Sequence, residues 1–228
     1  MYIYNTCLGI FKKTAPPAPT EIQELQEIQE KAIKKTDIND HLETLYAESL
    51  RLKPQLIVEL GVRGGESTFA FERAAKITNA TLVSVDIDDC LKASQYEKWH
   101  FVRSDDIAFT NNFPTWCKDK GIAPLIDVLF IDTSHLYEHT KQEIEAWFPL
   151  LAKKCVVFFH DTNLQKIFFR QDKSMGIGWD NQRGVIRALE EYLGQSINEK
   201  NEFKGTINNW QIQHYPYCNG LTILKKEK

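Results

Sequence analysis

Ile57-Val58-Glu59-Leu60-Gly61-Val62-Arg63-Gly64-Gly65-Glu66-Ser67-Thr68 decides the fold. A mostly apolar run breaks into a glycine-rich turn, and the residues after the turn open a helix. The next apolar run, Thr81-Leu82-Val83-Ser84-Val85-Asp86, ends in an acid 25 residues after Gly61. Strand, glycine turn, helix and acid-ended strand form the pattern of a nucleoside-cofactor site at the edge of a parallel sheet. Glycine lets backbone approach a ligand closely and takes positive φ at little steric cost. A carboxylate at the second strand end can accept hydrogen bonds from ribose hydroxyls.

Outward from this run the pattern alternates. Strand-like runs fall at 55–60, 81–86, 99–103, 125–131 and 154–160, with helical segments at 65–78, 88–97, 111–120 and 136–152. Near-continuous apolar strands separated by helices predict a parallel sheet covered on both faces. The stretch 162–180 is long and irregular, as functional or disordered loops are. A helix follows at 182–194, and 203–225 reads as two strands around Tyr215-Pro216-Tyr217-Cys218-Asn219-Gly220. That ending predicts an antiparallel hairpin appended to the parallel sheet. Before the sheet, Thr14-Ala15-Pro16-Pro17-Ala18-Pro19 reads as a stiff linker. Thr20 and Gln23 are placed to form a capping box for a helix over 21–35. A second helix over 39–52 stops at Lys53-Pro54. The chain thus divides into an extension over 1–20, N-terminal helices over 21–53 serving as lid or interface, and a main domain over 54–228.

The 228 residues carry a net charge of −3 and 43% hydrophobic residues, so one α/β domain with additions is expected and a nucleic-acid partner is not. No run reaches the ~20 apolar residues of a membrane span. The first charges, Lys12 and Lys13, follow an apolar stretch, the reverse of a secretory signal. Cys7, Cys90, Cys117, Cys155 and Cys218 are an odd, scattered set, which predicts reduced thiols and a cytoplasmic protein. Oligomeric state is not legible; a homo-oligomer built on the N-terminal helices is compatible with their amphipathic pattern.

Five constellations carry the chemistry. Gly61-x-x-Gly64-Gly65 departs from Gly-x-Gly-x-x-Gly, lacks a Walker lysine, and reads as a cofactor turn or as a tight turn alone. Asp86 reads as a ribose ligand or a solvated strand-end acid. In Arg103-Ser104-Asp105-Asp106, Asp105 can accept from an adenine amino group or cap a helix. In Ile131-Asp132-Thr133-Ser134-His135 a carboxylate and an imidazole stand at the mouth of the sheet, able to hold a metal or to act as ligand and general base. A capping or surface role is the plain alternative for His135. In Phe159-His160-Asp161-Thr162, Asp161 ends the fifth strand and faces the same crevice as Asp132, or caps a helix. Two carboxylates together need a cation or a proton between them, and an oxygen-rich pair favours Mg2+. His160 alternates to the opposite side and is not expected as a ligand.

Glu59-x-Gly61-x-x-x-Gly65-x-Ser67 resembles motif I of the class I S-adenosylmethionine-dependent methyltransferases. Ile131-Asp132-x-x-His135-x-Tyr137, then Trp147-Phe148-Pro149-Leu150-Leu151 and His160-Asp161-Thr162, is similar to a narrower group within them. That group contains the macrolide-sugar O-methyltransferases and the cephalosporin hydroxylase or rhamnosyl O-methyltransferase-like proteins. Gly184-Val185-x-x-Ala188-x-x-Glu191 resembles its helix after the lid, and the likeness spans 55–225. It implies a Rossmann-like, doubly wound α/β sheet of seven strands, mostly parallel with the last antiparallel. It implies S-adenosylmethionine held by Glu59, Gly61, Arg63, Gly65, Ser67, Asp86, Ser104, Asp105 and Asp132. Asp132 and Asp161 become Mg2+ ligands and His135 the general base. The implied reaction is O-methylation of a small-molecule or glycoside hydroxyl, a sugar by resemblance, with Met175, Gly176, Gly178 and Trp179 in a segment that closes over the acceptor. The chain departs from the group at Lys153-Lys154-Cys155, where paired glycines are usual. An NAD-dependent oxidoreductase lacks its glycine fingerprint here. A metal-dependent hydrolase would use Asp132, His135 and Asp161 but leave the glycine turn without a purpose. A non-catalytic cofactor-binding protein would need the turn alone.

Overall fold

The structure is a computed structural model that describes residues 19–164, 167–169, 175–177 and 183–227. Helices α1 (Pro19–Ala32) and α2 (Leu42–Leu52), with a 3-10 turn at Asn39–His41 between them, precede the sheet. Strand β1 (Leu56–Leu60), helix α3 (Glu66–Thr78), β2 (Thr81–Asp86) and β3 (Trp99–Arg103) follow. Then come α4 (Asp106–Thr110), α5 (Phe113–Asp119), β4 (Ile126–Ile131), α6 (Tyr137–Trp147) and β5 (Leu151–His160). A small pair, β6 (Ile167–Phe169) and β7 (Met175–Ile177), precedes α7 (Gly184–Leu193), β8 (Phe203–Ile207), β9 (Trp210–Tyr215) and β10 (Leu221–Lys226).

The main sheet runs β3-β2-β1-β4-β5-β10-β9-β8. The first five strands are mutually parallel, while β10, β9 and β8 join as an antiparallel meander. The chain is therefore α/β and doubly wound, as the alternation predicts. Strand β1 is buried along its whole length and shows why. Leu56, Val58 and Leu60 enter one core with Phe113, Trp147 and Leu189, whereas Ile57 enters the opposite core with Phe71 and Phe158. A strand covered on both faces carries no polar alternation.

Several expectations are corrected. The sheet has eight strands rather than seven, because 203–215 folds as a hairpin, with Asn208 at φ 53 between β8 and β9. Residues 88–97 form no helix. Asp86 Oδ1 accepts from the Asp88 N–H at 2.9 Å and Asp89 Oδ1 from the Leu91 N–H at 3.2 Å, so side chains take the amides a helix would need. Helix α6 ends at Trp147 through a 3-10 turn, and β5 begins at Leu151. The first helix begins at Pro19, which places Thr20 inside it rather than at its cap. Ile28, Leu42 and Leu45 of the N-terminal helices are wholly buried in the core that covers one sheet face. Residues 1–18 of the expected extension over 1–20, and the loop residues Gly178 and Trp179, lie outside the described residues. Within that loop, β6 and β7 pair antiparallel. The four described cysteines are unpaired. Among the described residues no helix is long and apolar enough to cross a membrane.

Candidate active site at the strand ends

The sheet order reverses between β1 and β4, and such switch points open a crevice beyond the carboxyl ends of the strands. Gly61 and Asp132 meet there. Gly61 has φ 86, and a Cβ on it would lie 2.0 Å from the Asp132 carbonyl oxygen. Gly65 has φ 78, and its Cβ would press on Ala93 at 2.9 Å, whereas Gly64 faces open space. Asp86 braces this turn: its Oδ2 accepts the Val62 N–H at 2.7 Å and the Arg63 N–H at 3.1 Å. Burial opposes its charge, but the backbone N–H groups of Asp88, Val62 and Arg63 hold the carboxyl below its ordinary range. The Arg63 guanidinium pairs with Asp37 at 2.7 Å.

Glu59 and Ser67, expected at the cofactor, bond to each other behind the turn. Glu59 is wholly buried and bonded within the protein. It accepts from Ser67 Oγ at 2.6 Å, Thr68 Oγ1 at 2.9 Å and Ser84 Oγ at 2.6 Å. Trp99 Nε1 donates in turn to Ser84 at 2.9 Å. This chain ties β1, β2, β3 and the start of α3 together behind the turn, so both residues position it. Burial pushes Glu59 up to about 7 against the pull of the three hydroxyls. Asp105 caps α4, its Oδ1 accepting the Ala108 N–H at 2.8 Å, and Ser104 Oγ donates to the Asp105 carbonyl. Asp105 thus caps α4 through Oδ1.

Across the crevice, the loops after β4 and β5 bring four ionisable groups together. His135 Nδ1 lies 2.7 Å from Asp161 Oδ2. One ligand atom each from Asp132, His135 and Asp161 falls within 4.8 Å of the others. His135 and Asp161 hold φ 60 and φ 55, left-handed conformations that non-glycine residues enter at a cost. The turn at Asp161 also explains why strand alternation fails for His160. Rather than pointing away, His160 sits under the cluster, 99% buried, with Nδ1 3.2 Å from Asp132 Oδ1. Its Nε2 faces two carbonyl oxygens, Asp37 at 3.2 Å and Cys218 at 3.1 Å. Carbonyls only accept, so Nε2 carries hydrogen, and with a carboxylate on Nδ1 the ring is an imidazolium. Burial opposes that charge, but Asp161 and Asp132 outweigh it and hold the ring well above its usual value. His135 is likewise raised: burial opposes, and the Asp161 hydrogen bond prevails. Asp161 is lowered despite burial, through the His160 charge and the bonds from His135 and His160. The place of His160 in this cluster was not expected; its sequence signal is its position beside Asp161.

A glycine turn at the switch point of a doubly wound sheet, with a strand-end acid beneath it, is a Rossmann-like arrangement. Residues 58–162 match the family described as a methyltransferase domain. A methyltransferase from Geobacter sulfurreducens superposes with TM-score 0.53 at 18% identity, covering 94% of this chain and 92% of that one. The O-methyltransferase TomG from Streptomyces achromogenes, solved with its SAM, gives 0.54 at 14% identity, covering 93% and 92%. MycE, the mycinamycin-pathway methyltransferase solved with Mg, SAH and mycinamycin VI, gives 0.56 at 16% identity, covering 90% of this chain and 54% of that one. An uncharacterized Sinorhizobium fredii protein is 29% identical over 126 residues, which are 50% of this chain and 14% of that relative's length. The family match thus spans 58–162, and the chain shares the fold of these solved methyltransferases.

Proposed function

We propose that this enzyme methylates a hydroxyl of a small-molecule or glycoside acceptor, a sugar by resemblance, using S-adenosylmethionine. His135 is the general base, and Asp132 and Asp161 are the residues that would hold Mg2+. The observation that carries the reading is the His135–Asp161 pair, 2.7 Å apart, at the switch point that also holds the glycine turn. Because Asp161 accepts the Nδ1–H, the ring is oriented and Nε2 is the nitrogen offered to a substrate proton.

The residues fit both groups. Gly61 and Gly65 let the turn pack closely against Asp132 and Ala93, and Gly64 faces open space where a cofactor could approach. Asp86, fixed by backbone N–H groups at the rim, retains acceptor capacity for a ribose hydroxyl. Asp161 Oδ1 is buried without a hydrogen-bond partner among the described residues, as an oxygen reserved for a cation would be. S-adenosylmethionine, when bound, supplies an electrophilic methyl on sulfur. Mg2+, when bound, lowers the pKa of a coordinated hydroxyl. The protein's own part is to align the hydroxyl with the methyl–sulfur bond and to receive its proton at His135 Nε2. His160, an imidazolium against Asp132, fixes that carboxylate from the buried side.

Calorimetry with S-adenosylmethionine, its demethylated product and NAD, with and without Mg2+, tests the cofactor. Saturable binding of the first two alone is expected; no binding of either overturns the reading in favour of a metal-dependent hydrolase. With an acceptor found among glycosides, His135→Ala is expected to lower turnover by about 10²–10⁴. Cofactor affinity should stay nearly intact, and unchanged turnover removes His135 from the mechanism.

A further inference from the structure

A second cluster lies on the other side of Thr133, outside the machinery just described. Asp106 is the first residue of α4, and His139 and Glu143 stand one turn apart on α6. His139 Nε2 is 3.0 Å from Asp106 Oδ1 and 3.8 Å from Glu143 Oε1. Thr133 Oγ1 donates to Glu143 Oε1 at 2.6 Å. The other two carboxylate oxygens, Asp106 Oδ2 and Glu143 Oε2, are buried with no hydrogen-bond partner among the described residues. Glu143 is 0% exposed and the Asp106 side chain 8%. Buried acceptors left without a donor are costly, and two facing acids need a cation or a proton between them. Burial, then the Asp106 charge and a carboxyl–carboxyl hydrogen bond to Asp106, push Glu143 up to about 8, so a shared proton is the competitor of any cation here. His139 is held at about 8 by its bond to Asp106 against partial burial.

We infer that Asp106, His139 and Glu143 form a second divalent-cation site, for a zinc-like ion, that pins the start of α4 to α6. One ligand atom from each residue lies within 4.8 Å of the others. An imidazole with two carboxylates suits Zn2+ or Co2+, whereas Mg2+ prefers an all-oxygen shell. Three protein donors leave a fourth position for water, reached past His139, whose side chain is 23% exposed. The ion would neutralise the two facing carboxylates and hold the start of α4 against α6. Its role is structural, and it is independent of the methyl-transfer reading.

Metal-stripped protein, titrated with Co2+ under excess Mg2+, tests this through the d–d absorption of bound cobalt. One saturable equivalent is expected in the native protein and in the Asp132→Asn/Asp161→Asn double variant. His139→Gln and Glu143→Gln are expected to weaken it by about tenfold or more. No cobalt band in the native protein means a shared proton occupies the cluster and overturns the proposal. So does a band that disappears only in the Asp132/Asp161 variant. If circular dichroism shows the His139 and Glu143 variants unfolded, the native protein and the double variant still decide between these outcomes.

Discussion

Gly61 is where a single atom matters most. It combines φ 86 with a carbonyl oxygen 2.0 Å from where a Cβ would stand, so alanine there must strain the backbone and part the ends of β1 and β4. Backbone strain and overpacking each cost about 1–3 kcal/mol. Gly61→Ala is therefore expected to lower stability by at least about 3 kcal/mol in urea unfolding. Gly64→Ala, with nothing within 4 Å, should shift it by less than about 0.5 kcal/mol. Similar midpoints for the two would remove close approach as the reason for the glycine. Gly61 and Asp86 were legible because spacing alone places them at strand ends. Glu59 was not, because its partners come from sheet register: Ser84 stands beside it on β2, and Ser67 and Thr68 descend from α3. His160 escaped for a related reason. Alternation places it opposite Asp161 only while the strand continues, and the left-handed turn at Asp161 ends the strand there.

At the scale of elements, long buried strands were read well and short polar pieces poorly. Strands β1, β2 and β4 follow from buried apolar runs, whereas β3 is only partly buried and β5 only in its second half. Residues 88–97 carry apolar positions at helical spacing, yet Asp86, Asp89 and Ser94 capture nearby amides and fix an irregular path. The β8–β9 hairpin was hidden because its turn is only Asn208-Asn209, without a glycine. Asn208 does two jobs there. It holds φ 53, and its Nδ2 donates to the Leu193 carbonyl at 2.9 Å, satisfying an orphan at the end of α7. Asn208→Gly keeps the backbone conformation and loses the bond, whereas Asn208→Ala loses both. Thermal unfolding should show about 1 kcal/mol lost for glycine and about 2 kcal/mol for alanine. Equal losses would mean the left-handed turn contributes nothing.

For the whole molecule, two buried ionisable groups on the α3 side of the sheet set opposing pH dependences. Glu59 is raised from 4.5 to about 7, chiefly by burial. The folded state then holds a proton the unfolded chain has released, and stability falls as pH rises from 4.5 to 7. His41, wholly buried, has Nε2 2.9 Å from the Tyr217 carbonyl and Nδ1 without a partner among the described residues. Protonating Nδ1 would bury an unpaired donor; burial, with the His160 charge next, lowers His41 from 6.5 to about 4. Here the unfolded chain binds the extra proton, so this stability is present above 6.5 and is lost as pH falls toward 4. Between 4.5 and 6.5 the two slopes have opposite signs and offset each other, each shift being worth roughly 3 kcal/mol at 1.36 kcal/mol per unit. Single variants uncover each limb when their unfolding free energies are compared with the native protein in the same buffers. Glu59→Gln should gain on the native protein by roughly 3 kcal/mol as pH rises from 4.5 to 7, then run parallel to it. His41→Gln, which keeps a donor for Tyr217, should gain by a similar amount as pH falls from 6.5 to 4. A difference that does not vary with pH, in either variant, would take that residue out of the balance and leave the other limb standing alone.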